Sequence, residues 1–269
     1  MNETPAPPST PQPVPAPPTG TTSTAVRVPL PVSAPTVTYT ILGLTIGVYL
    51  LQLASVALFG QPSPNIDWLE LYGARINTLI RAGEIWRFFT PALLHANPPH
   101  ILFNMYALFV FGPTLERNFG RGRFLLLYVL GAFTGNVLSF FLMGDNGYSI
   151  GASTAIFGLV GAEGLFLYQN RRLFGNQVRG AIGNIVFVVV INLFIGLVPG
   201  VDLWGHIGGL FGGLIFTWFA GPRWEVQGIY PTFQLVDQRE GRDLILGIAA
   251  AVIPFGLLAL WGMVAPVVH

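Results

Sequence analysis

The stretch Leu203–Ala220, with the sequence LWGHIGGLFGGLIFTWFA, decides the fold. It contains no Asp, Glu, Lys or Arg, and its length is close to the roughly 20 residues that a helix needs to cross a bilayer core. Gly205, Gly209 and Gly213 recur every four residues and therefore share one helix face. A face made of glycines lets another helix backbone approach closely. The stretch predicts a transmembrane helix that packs tightly against its neighbours.

The composition of the whole chain agrees with this interpretation. Of 269 residues, 52% are hydrophobic and 9% are charged, and the mean hydropathy is +0.61. Soluble domains carry about 25% charged residues. The composition therefore excludes a soluble enzyme, a nucleic-acid binder and a largely disordered protein, and it indicates a polytopic membrane protein. The absence of cysteine excludes disulfides, thiolate metal sites and a cysteine nucleophile.

Seven apolar runs are long enough to be membrane spans, so we predict an all-α bundle of seven transmembrane helices. The predicted spans are Thr36–Phe59, Pro99–Leu115, Arg123–Met143, Ala152–Gln169, Gly180–Pro199, Leu203–Ala220 and Asp243–Val264. The first six spans form a core over residues 36–220, residues 221–242 form a connection, and residues 243–269 hold the last span and the C-terminus.

Residues 1–35 have a different composition, since they hold 11 of the 22 prolines. Such a segment cannot bury enough apolar surface to offset its ordering entropy, so we expect a disordered cytoplasmic tail. It lacks the basic start and apolar run of a signal peptide, and we expect it to be retained. A spacer is favoured over a docking segment.

Arginine distribution predicts the orientation of the chain in a cell membrane. All 13 basic residues are arginines, and alternating spans place ten on one side and three on the other. The positive-inside rule then predicts a cytoplasmic N-terminus and an external C-terminus. The three external arginines lie in the loop 61–98, which is rich in aromatic and aliphatic residues, so we expect short amphipathic segments in the outer interface.

Alternation of the spans also brings five polar residues to one depth near the outer surface. They are His95, His100, Asn104, Ser153 and His206. Polar groups inside a membrane are costly, so such a cluster is a candidate functional site. Ser153 begins a helix, where free N–H groups favour a developing anion, and His206 could take its proton. His100 and Asn104 share a helix face and could donate hydrogen bonds to an oxyanion.

Each residue also has a structural interpretation when it is considered alone. Ser153 could cap its helix, His206 could be a buried hydrogen-bonded histidine, and Asn104 could join two helices. Asp202 could orient His206, although a helix N-cap is favoured, and Glu163 is expected to be structural. The combination at one depth favours the functional interpretation.

Three motifs carry a resemblance to the rhomboid family of intramembrane serine proteases. The first motif is Gly151-Ala152-Ser153-Thr154-Ala155-Ile156-Phe157-Gly158, and the second is Gly205-His206-Ile207-Gly208-Gly209. The third is a longer segment that begins with Gly83-Glu84-Ile85-Trp86-Arg87 and ends at Gly120. Its other matching residues are His95, His100-Ile-Leu-Phe-Asn104-Met105, Gly112 and Glu116. They lie between Thr36 and Ala220 in the family's order. The seventh span resembles the variants that add one helix to a six-helix core.

The resemblance implies a dyad in which Ser153 is the nucleophile and His206 is the general base and later acid. The oxyanion would be held by His100, Asn104 and the Ser153 N–H. Gly151 and Ala152 would shape this oxyanion and substrate-binding site. The residues that would support the site are His95, Trp86, Arg87 and Phe157. Substrates would be transmembrane proteins cut in or beside their spans, and neither a cofactor nor a metal would be needed.

One departure from the family pattern is Thr154, where glycine usually follows the nucleophile. A side chain there could crowd the oxyanion site or narrow the substrate cleft, and because the rest of the motif is intact we expect altered rate or specificity, not inactivity. The alternatives left open are an inactive rhomboid-like protein that binds membrane clients, and a transporter or channel. The sequence contains no inverted repeat of the kind expected for the last class.

Overall fold

A computed structural model describes residues 34–145, 147–229 and 232–265. The expectations for residues 1–33 of the proline-rich tail and for residues 266–269 after the last span lie outside these residues.

The described residues form ten helices in chain order, and seven of them are long. The helices are α1 Thr36–Phe59, α2 Trp68–Gly73, α3 Asn77–Arg81, α4 Pro98–Phe119, α5 Arg121–Leu142, α6 Ser153–Gln169, α7 Arg171–Phe174, α8 Gln177–Ile195, α9 Leu203–Ala220 and α10 Gly241–Val264. The long helices each overlap one predicted span, with ends that differ by up to four residues; they are α1, α4, α5, α6, α8, α9 and α10. The prediction of a polytopic α-helical bundle is confirmed.

Five of these helices are long and apolar enough to cross a membrane: α1, α5, α8, α9 and α10. The other two long helices, α4 and α6, carry polar residues of the candidate site, and α6 has only 17 residues. The protein is a multi-pass membrane protein.

Glycines bring the backbones of α5, α6 and α9 into direct contact. A Cβ atom on Gly158 of α6 would lie 3.0 Å from the Cα of Gly131 on α5 and 3.3 Å from the carbonyl oxygen of Gly209 on α9. A Cβ on Gly209 or on Gly213 would overlap the α6 backbone at Thr154 or at Gly158. The close face that Gly205, Gly209 and Gly213 predict is therefore present, and its partners are α5 and α6.

The loop between α1 and α4 is a folded unit of short pieces, as predicted. It contains α2, α3 and two 3₁₀ helices at Ile85–Phe88 and Thr90–Leu93. Arg87, only 1% exposed, pairs with Glu84 at 2.7 Å and donates to the carbonyl oxygens of Ala74 and Leu71. The half-exposed Trp86 donates to the carbonyl of Tyr72. Both residues therefore connect separate segments of the first loop.

Polar contacts at the helix ends fix which termini lie together. The buried Glu116 carboxylate near the end of α4 accepts the N–H groups of Val37 and Thr38, which begin α1. At the opposite end of the bundle, Arg81 of the first loop donates to the carbonyl oxygens of Gly262 and Ala265 at the end of α10. The start of α1 and the end of α10 therefore lie at opposite ends of the bundle, as an odd number of spans requires.

Four short strands were not predicted from the sequence. Arg75–Ile76 (β1) pairs with Tyr148–Ser149 (β2) and so ties the first loop to the segment before α6. Trp224–Gln227 (β3) and Gln234–Asp237 (β4) form an antiparallel hairpin inside the connection 221–242. Strands of two to four residues are too short for a clear alternating pattern, and tertiary contacts decide them.

The glycine contact gives a test by substitution. We expect Gly209→Ala to lower the unfolding free energy by about 1–3 kcal/mol, because the new Cβ would overlap backbone atoms of α6 that cannot move independently. Gly183→Ala on α8 is the matched control, since no atom lies within 4 Å of its Cβ position. Thermal unfolding of both variants in detergent measures the effect. A Gly209→Ala protein as stable as the control would contradict the close contact.

Candidate active site

Ser153 is the first residue of α6 and follows a sharply turned backbone. Gly151 has a φ of +125°, which favours glycine, and its N–H donates to the carbonyl of Pro91 at 2.9 Å. A Cβ on Gly151 would lie 2.7 Å from Nε2 of His100 and 3.7 Å from the Ser153 hydroxyl. The N–H groups of the first helical turn have no acceptor within the helix. The serine therefore lies where an oxygen anion could be bound.

His206 lies in the first turn of α9 and is held against α6. Its ring stacks on Phe157 with centroids 4.2 Å apart and planes inclined by 10°. Phe157 is four residues after Ser153 and lies on the same face of α6. The His206 side chain is 7% exposed. The predicted supporting residue Phe157 thus orients the imidazole beside the start of α6.

No hydrogen bond joins Ser153 to His206 in the part of the chain that the structure describes, and Nδ1 of His206 is buried without a partner there. Hydrogen bonds of catalytic groups are often long before substrate binds and shorten in the complex. The structure brings the two helix starts together, and among the described residues no carboxylate accepts a hydrogen bond from the stacked ring.

His95 and His100 form the wall of the site next to Gly151 and Ala152. Their rings lie 5.0 Å apart in an edge-on arrangement, and Nε2 of His95 accepts the N–H of Ala152 at 3.5 Å. Burial, and secondly the neighbouring His100, lower the pKa of His95 to about 3. His95 is therefore neutral at physiological pH, which is the form in which Nε2 can accept that N–H.

Asn104 lies one turn beyond His100 on α4, as predicted. Its side-chain amide donates to the carbonyl of His100 at 2.9 Å. An amide has two N–H groups, so this bond fixes the orientation of the group and engages one of them. The bond to its own helix was not foreseen from the sequence.

Asp202 is the N-cap of α9, as favoured from the sequence. Its Oδ1 accepts the N–H of Gly205 at 2.8 Å and the hydroxyl of Ser139 at 2.5 Å. Its Oδ2 pairs with Arg75 at 3.4 Å. These three partners occupy the carboxylate, which accepts no hydrogen bond from His206 among the described residues.

Arg75 is a central residue that sequence reasoning missed. Its side chain is 0% exposed and, besides Asp202, it donates to Asn77 at 2.5 Å. Burial lowers the pKa of Arg75, and the Asp202 charge opposes that shift. Arg75 thus ties the first loop to the helix start that carries His206. In the sequence Arg75 is one of three arginines in an apolar loop, and nothing distinguishes it from Arg81 and Arg87.

Thr154 does not crowd the site, contrary to the expectation from the sequence. Its side chain is 2% exposed and packs against α5 and α9: a Cβ on Gly135 would lie 2.7 Å from its Cβ, and a Cβ on Gly205 would lie 3.0 Å from its Cγ2. Glycines on the two facing helices therefore provide the space for the Thr154 side chain. Its hydroxyl is buried without a hydrogen-bond partner among the described residues.

Glu163 lies ten residues after Ser153 on α6, about 15 Å along the helix axis. It is partly buried and takes no part in the cluster around Ser153, in line with the structural role expected for it.

Comparison with known proteins places these motifs in a family. The rhomboid domain family model matches residues 82–223. Rhomboid protease GluP of Bacillus subtilis is 41% identical over 180 residues, which cover 66% of this chain and 34% of that protein. RHOMBOID-like protein 1 of Arabidopsis thaliana is 38% identical over 164 residues, which cover 60% of this chain and 42% of that protein. The putative rhomboid protease YdcA of Bacillus subtilis is 34% identical over 173 residues, covering 64% and 86%.

The matched region contains α4, α5, α6, α8 and α9, with all of the candidate site except part of the first loop. The chain belongs to the rhomboid family. The match covers about a third of GluP and two fifths of RHOMBOID-like protein 1.

Thr154 gives a prediction that separates packing volume from polarity. Thr154→Val keeps the volume and removes a buried hydroxyl without a partner, so we expect unchanged or higher stability. Thr154→Gly leaves a cavity at Gly135 and Gly205 and adds a helix-propensity cost, so we expect a loss of about 2 kcal/mol. Thermal unfolding in detergent measures both. Equal stability of the valine and glycine variants would show that the side chain does not fill this interface.

The buried ion pair gives a second prediction at the site. Asp202→Asn keeps an N-cap side chain but leaves the Arg75 charge unpaired, and we expect a loss of about 3–5 kcal/mol. The double variant Arg75→Met with Asp202→Asn removes both charges and should recover much of that loss. Denaturation of the two single variants and the double variant gives the coupling energy. Additive losses would contradict direct pairing of the two residues.

Proposed function

We propose that this chain is an intramembrane serine endopeptidase that hydrolyses peptide bonds in or next to transmembrane segments of membrane proteins. The observation that carries the proposal is the stacking of His206 on Phe157, one turn beyond Ser153, where α9 contacts the start of α6. The similarity of this chain to rhomboid protease GluP and to the putative rhomboid protease YdcA supports the same function.

In the first step Ser153 Oγ attacks the carbonyl carbon of the scissile bond, and a ring nitrogen of His206 accepts the serine proton. The carbonyl oxygen becomes an anion, and in this proposal it accepts hydrogen bonds from the Ser153 N–H and from the side chains of His100 and Asn104. Collapse of this intermediate breaks the C–N bond. The amine departs with the proton from His206 and leaves an ester on Ser153.

In the second step His206 removes a proton from a water molecule, which attacks the ester carbon. The C–O bond to the serine breaks, the proton returns to Ser153 Oγ, and the new carboxyl terminus is released. No electrons are transferred, so no redox cofactor is needed for this balance.

The dyad operates without a carboxylate partner for His206. Asp202, the nearest candidate in sequence, is engaged by Arg75, Ser139 and the α9 backbone. Stacking on Phe157 therefore replaces a hydrogen bond as the means of orienting the imidazole.

The substrate class follows from the location of the site. Ser153 and His206 begin helices that contact each other within the bundle, so a substrate would reach them by leaving the lipid. By the distribution of arginines we place the site near the outer face of a cell membrane, with the N-terminus in the cytoplasm and the C-terminus outside.

Substitution at the dyad tests the proposal. Ser153→Ala and His206→Ala are each expected to reduce cleavage of a transmembrane substrate in liposomes by at least about 10³-fold, because nucleophile and base act as a unit. Gel analysis of the products measures the effect. Ser55→Ala on α1 is a matched control, because that hydroxyl bonds the carbonyl of Gln52 within its own helix. Full activity of both dyad variants would refute the assignment.

A fluorophosphonate probe separates a protease from an inactive client-binding relative. Attack by an activated serine forms a P–O bond and expels fluoride, so we expect one adduct on Ser153 that disappears in His206→Ala. Peptide mass spectrometry locates the adduct. A folded wild-type protein that takes up no probe would favour the client-binding alternative.

A further inference from the structure

A cavity of about 660 Å³ lies at the end of the bundle opposite to Ser153 and His206. It is bounded by the end of α6, the short helix α7 and the β3–β4 hairpin, and its volume is in the range of small-molecule sites. The arginines Arg171, Arg172 and Arg223 line it, with Glu225 as the one lining carboxylate.

These three arginines are not neutralised by carboxylates. Six ion pairs occur among the described residues, and none includes Arg171, Arg172 or Arg223. Two neighbouring acids already have arginine partners: Asp237 of the hairpin pairs with Arg123, and Asp243 of α10 pairs with Arg239. The lining therefore carries an excess of two positive charges, three arginines against Glu225.

Two residues of the cavity lining each carry a buried polar atom without a hydrogen-bond partner among the described residues. The atoms are Nε1 of Trp224, a donor, and Oε1 of Gln169, an acceptor. Buried polar groups of folded proteins almost always have hydrogen-bond partners. The unpartnered indole N–H and the guanidinium groups together offer donors to an anion, and the amide oxygen offers an acceptor to a hydroxyl group.

The cavity has a rigid frame. The buried side chain of Asn170 donates to the carbonyls of Phe166 and Pro222, and its Oδ1 accepts the N–H of Trp224 at 2.8 Å. The end of α6 is thereby fixed to the start of the hairpin. Arg171 lies over the ring of Tyr168, with its guanidinium carbon 4.7 Å from the ring centroid. The arginines are thus presented on fixed backbone.

The position in the bundle indicates where the anion comes from. The cavity adjoins the C-terminal ends of α6 and α9, two helices of 17 and 18 residues, so it lies at the depth of lipid headgroups. Basic pockets between transmembrane helices at this depth bind the phosphates of anionic lipids. A soluble phosphate has the same chemistry but is not concentrated at this surface.

We propose that this cavity is a binding site for the phosphate-bearing headgroup of an anionic membrane lipid. Arg171, Arg172 and Arg223 contact the phosphate, Trp224 Nε1 donates to it, and Gln169 accepts from a headgroup hydroxyl. The bound lipid joins α6, α9 and the hairpin at the ends opposite to Ser153 and His206. The site does not depend on the proposed protease activity.

Native mass spectrometry of the detergent-purified full chain, titrated with phosphatidylglycerol or phosphatidylcholine, tests this proposal. We expect the wild-type chain to retain phosphatidylglycerol in preference to phosphatidylcholine. Each arginine near the surface contributes about a fivefold change in affinity. Arg171→Gln with Arg172→Gln should therefore weaken phosphatidylglycerol binding about 25-fold. Trp224→Phe, which keeps the aromatic ring and removes the N–H, should weaken it severalfold.

The matched control is Arg117→Gln with Arg121→Gln, which removes the same charge from exposed arginines at the α4–α5 corner. It should bind phosphatidylglycerol like the wild type. An equal loss of phosphatidylglycerol affinity in both double variants, or no loss in either, would contradict the proposed site. In a parallel titration, binding of inorganic phosphate with no preference between the two lipids would overturn the lipid assignment. Thermal unfolding confirms that each variant is folded.

Discussion

The direct contact of three helix backbones at glycine positions is the constraint on which the rest of the structure depends. Apolar side chains gain little by leaving lipid for a protein interior, so helices in a membrane associate through close packing. Here α5, α6 and α9 approach until Gly158 contacts Gly131 and Gly209. At that separation any side chain on the contact line would force the helices apart. The contact also sets the relative positions of the first turns of α6 and α9.

The position of those first turns determines what the protein can do. Ser153 begins α6, and His206 lies in the opening turn of α9, where Phe157 holds its ring. Polar residues around these turns serve mainly to hold them. Asp202 caps α9 and pairs with the buried Arg75, and Arg87 fastens the first loop by its backbone carbonyls. The polarity buried here is costly in an apolar fold, and it is concentrated where helix starts and loops must be kept in register.

The sequence predicted the spans and the residues of the site better than it predicted the contacts between them. Glycines spaced four residues apart and apolar runs of about 20 residues are local signals. The predicted first and last residues of α1 and α9 therefore agree with the structure. The depth shared by His100, Ser153 and His206 followed from alternation of the spans. The direction in which a side chain points from its helix did not follow from this alternation, because that direction depends on the neighbouring helices. Thr154, for example, faces Gly135 and Gly205 and not the cleft. Arg75 depends on its long-range partner Asp202, and the strands of the β3–β4 hairpin have only four residues each, so neither carried a clear local signal.

The central claim is that the Ser153 hydroxyl and the His206 ring share one small site. A peptidyl chloromethyl ketone tests this most directly, because its carbonyl carbon bonds the serine oxygen while its methylene carbon alkylates the histidine nitrogen with loss of chloride. The two residues must then lie within one reagent's reach. The hemiketal at Ser153 reverts when the protein is unfolded, so digestion and mass spectrometry detect the stable alkylation of the His206 ring. We predict that the wild-type protein is alkylated at His206 and that folded Ser153→Ala is not, because capture by the serine places the reagent beside the ring. Equal alkylation of His206 in the two proteins, or none in the folded wild type, would contradict the account.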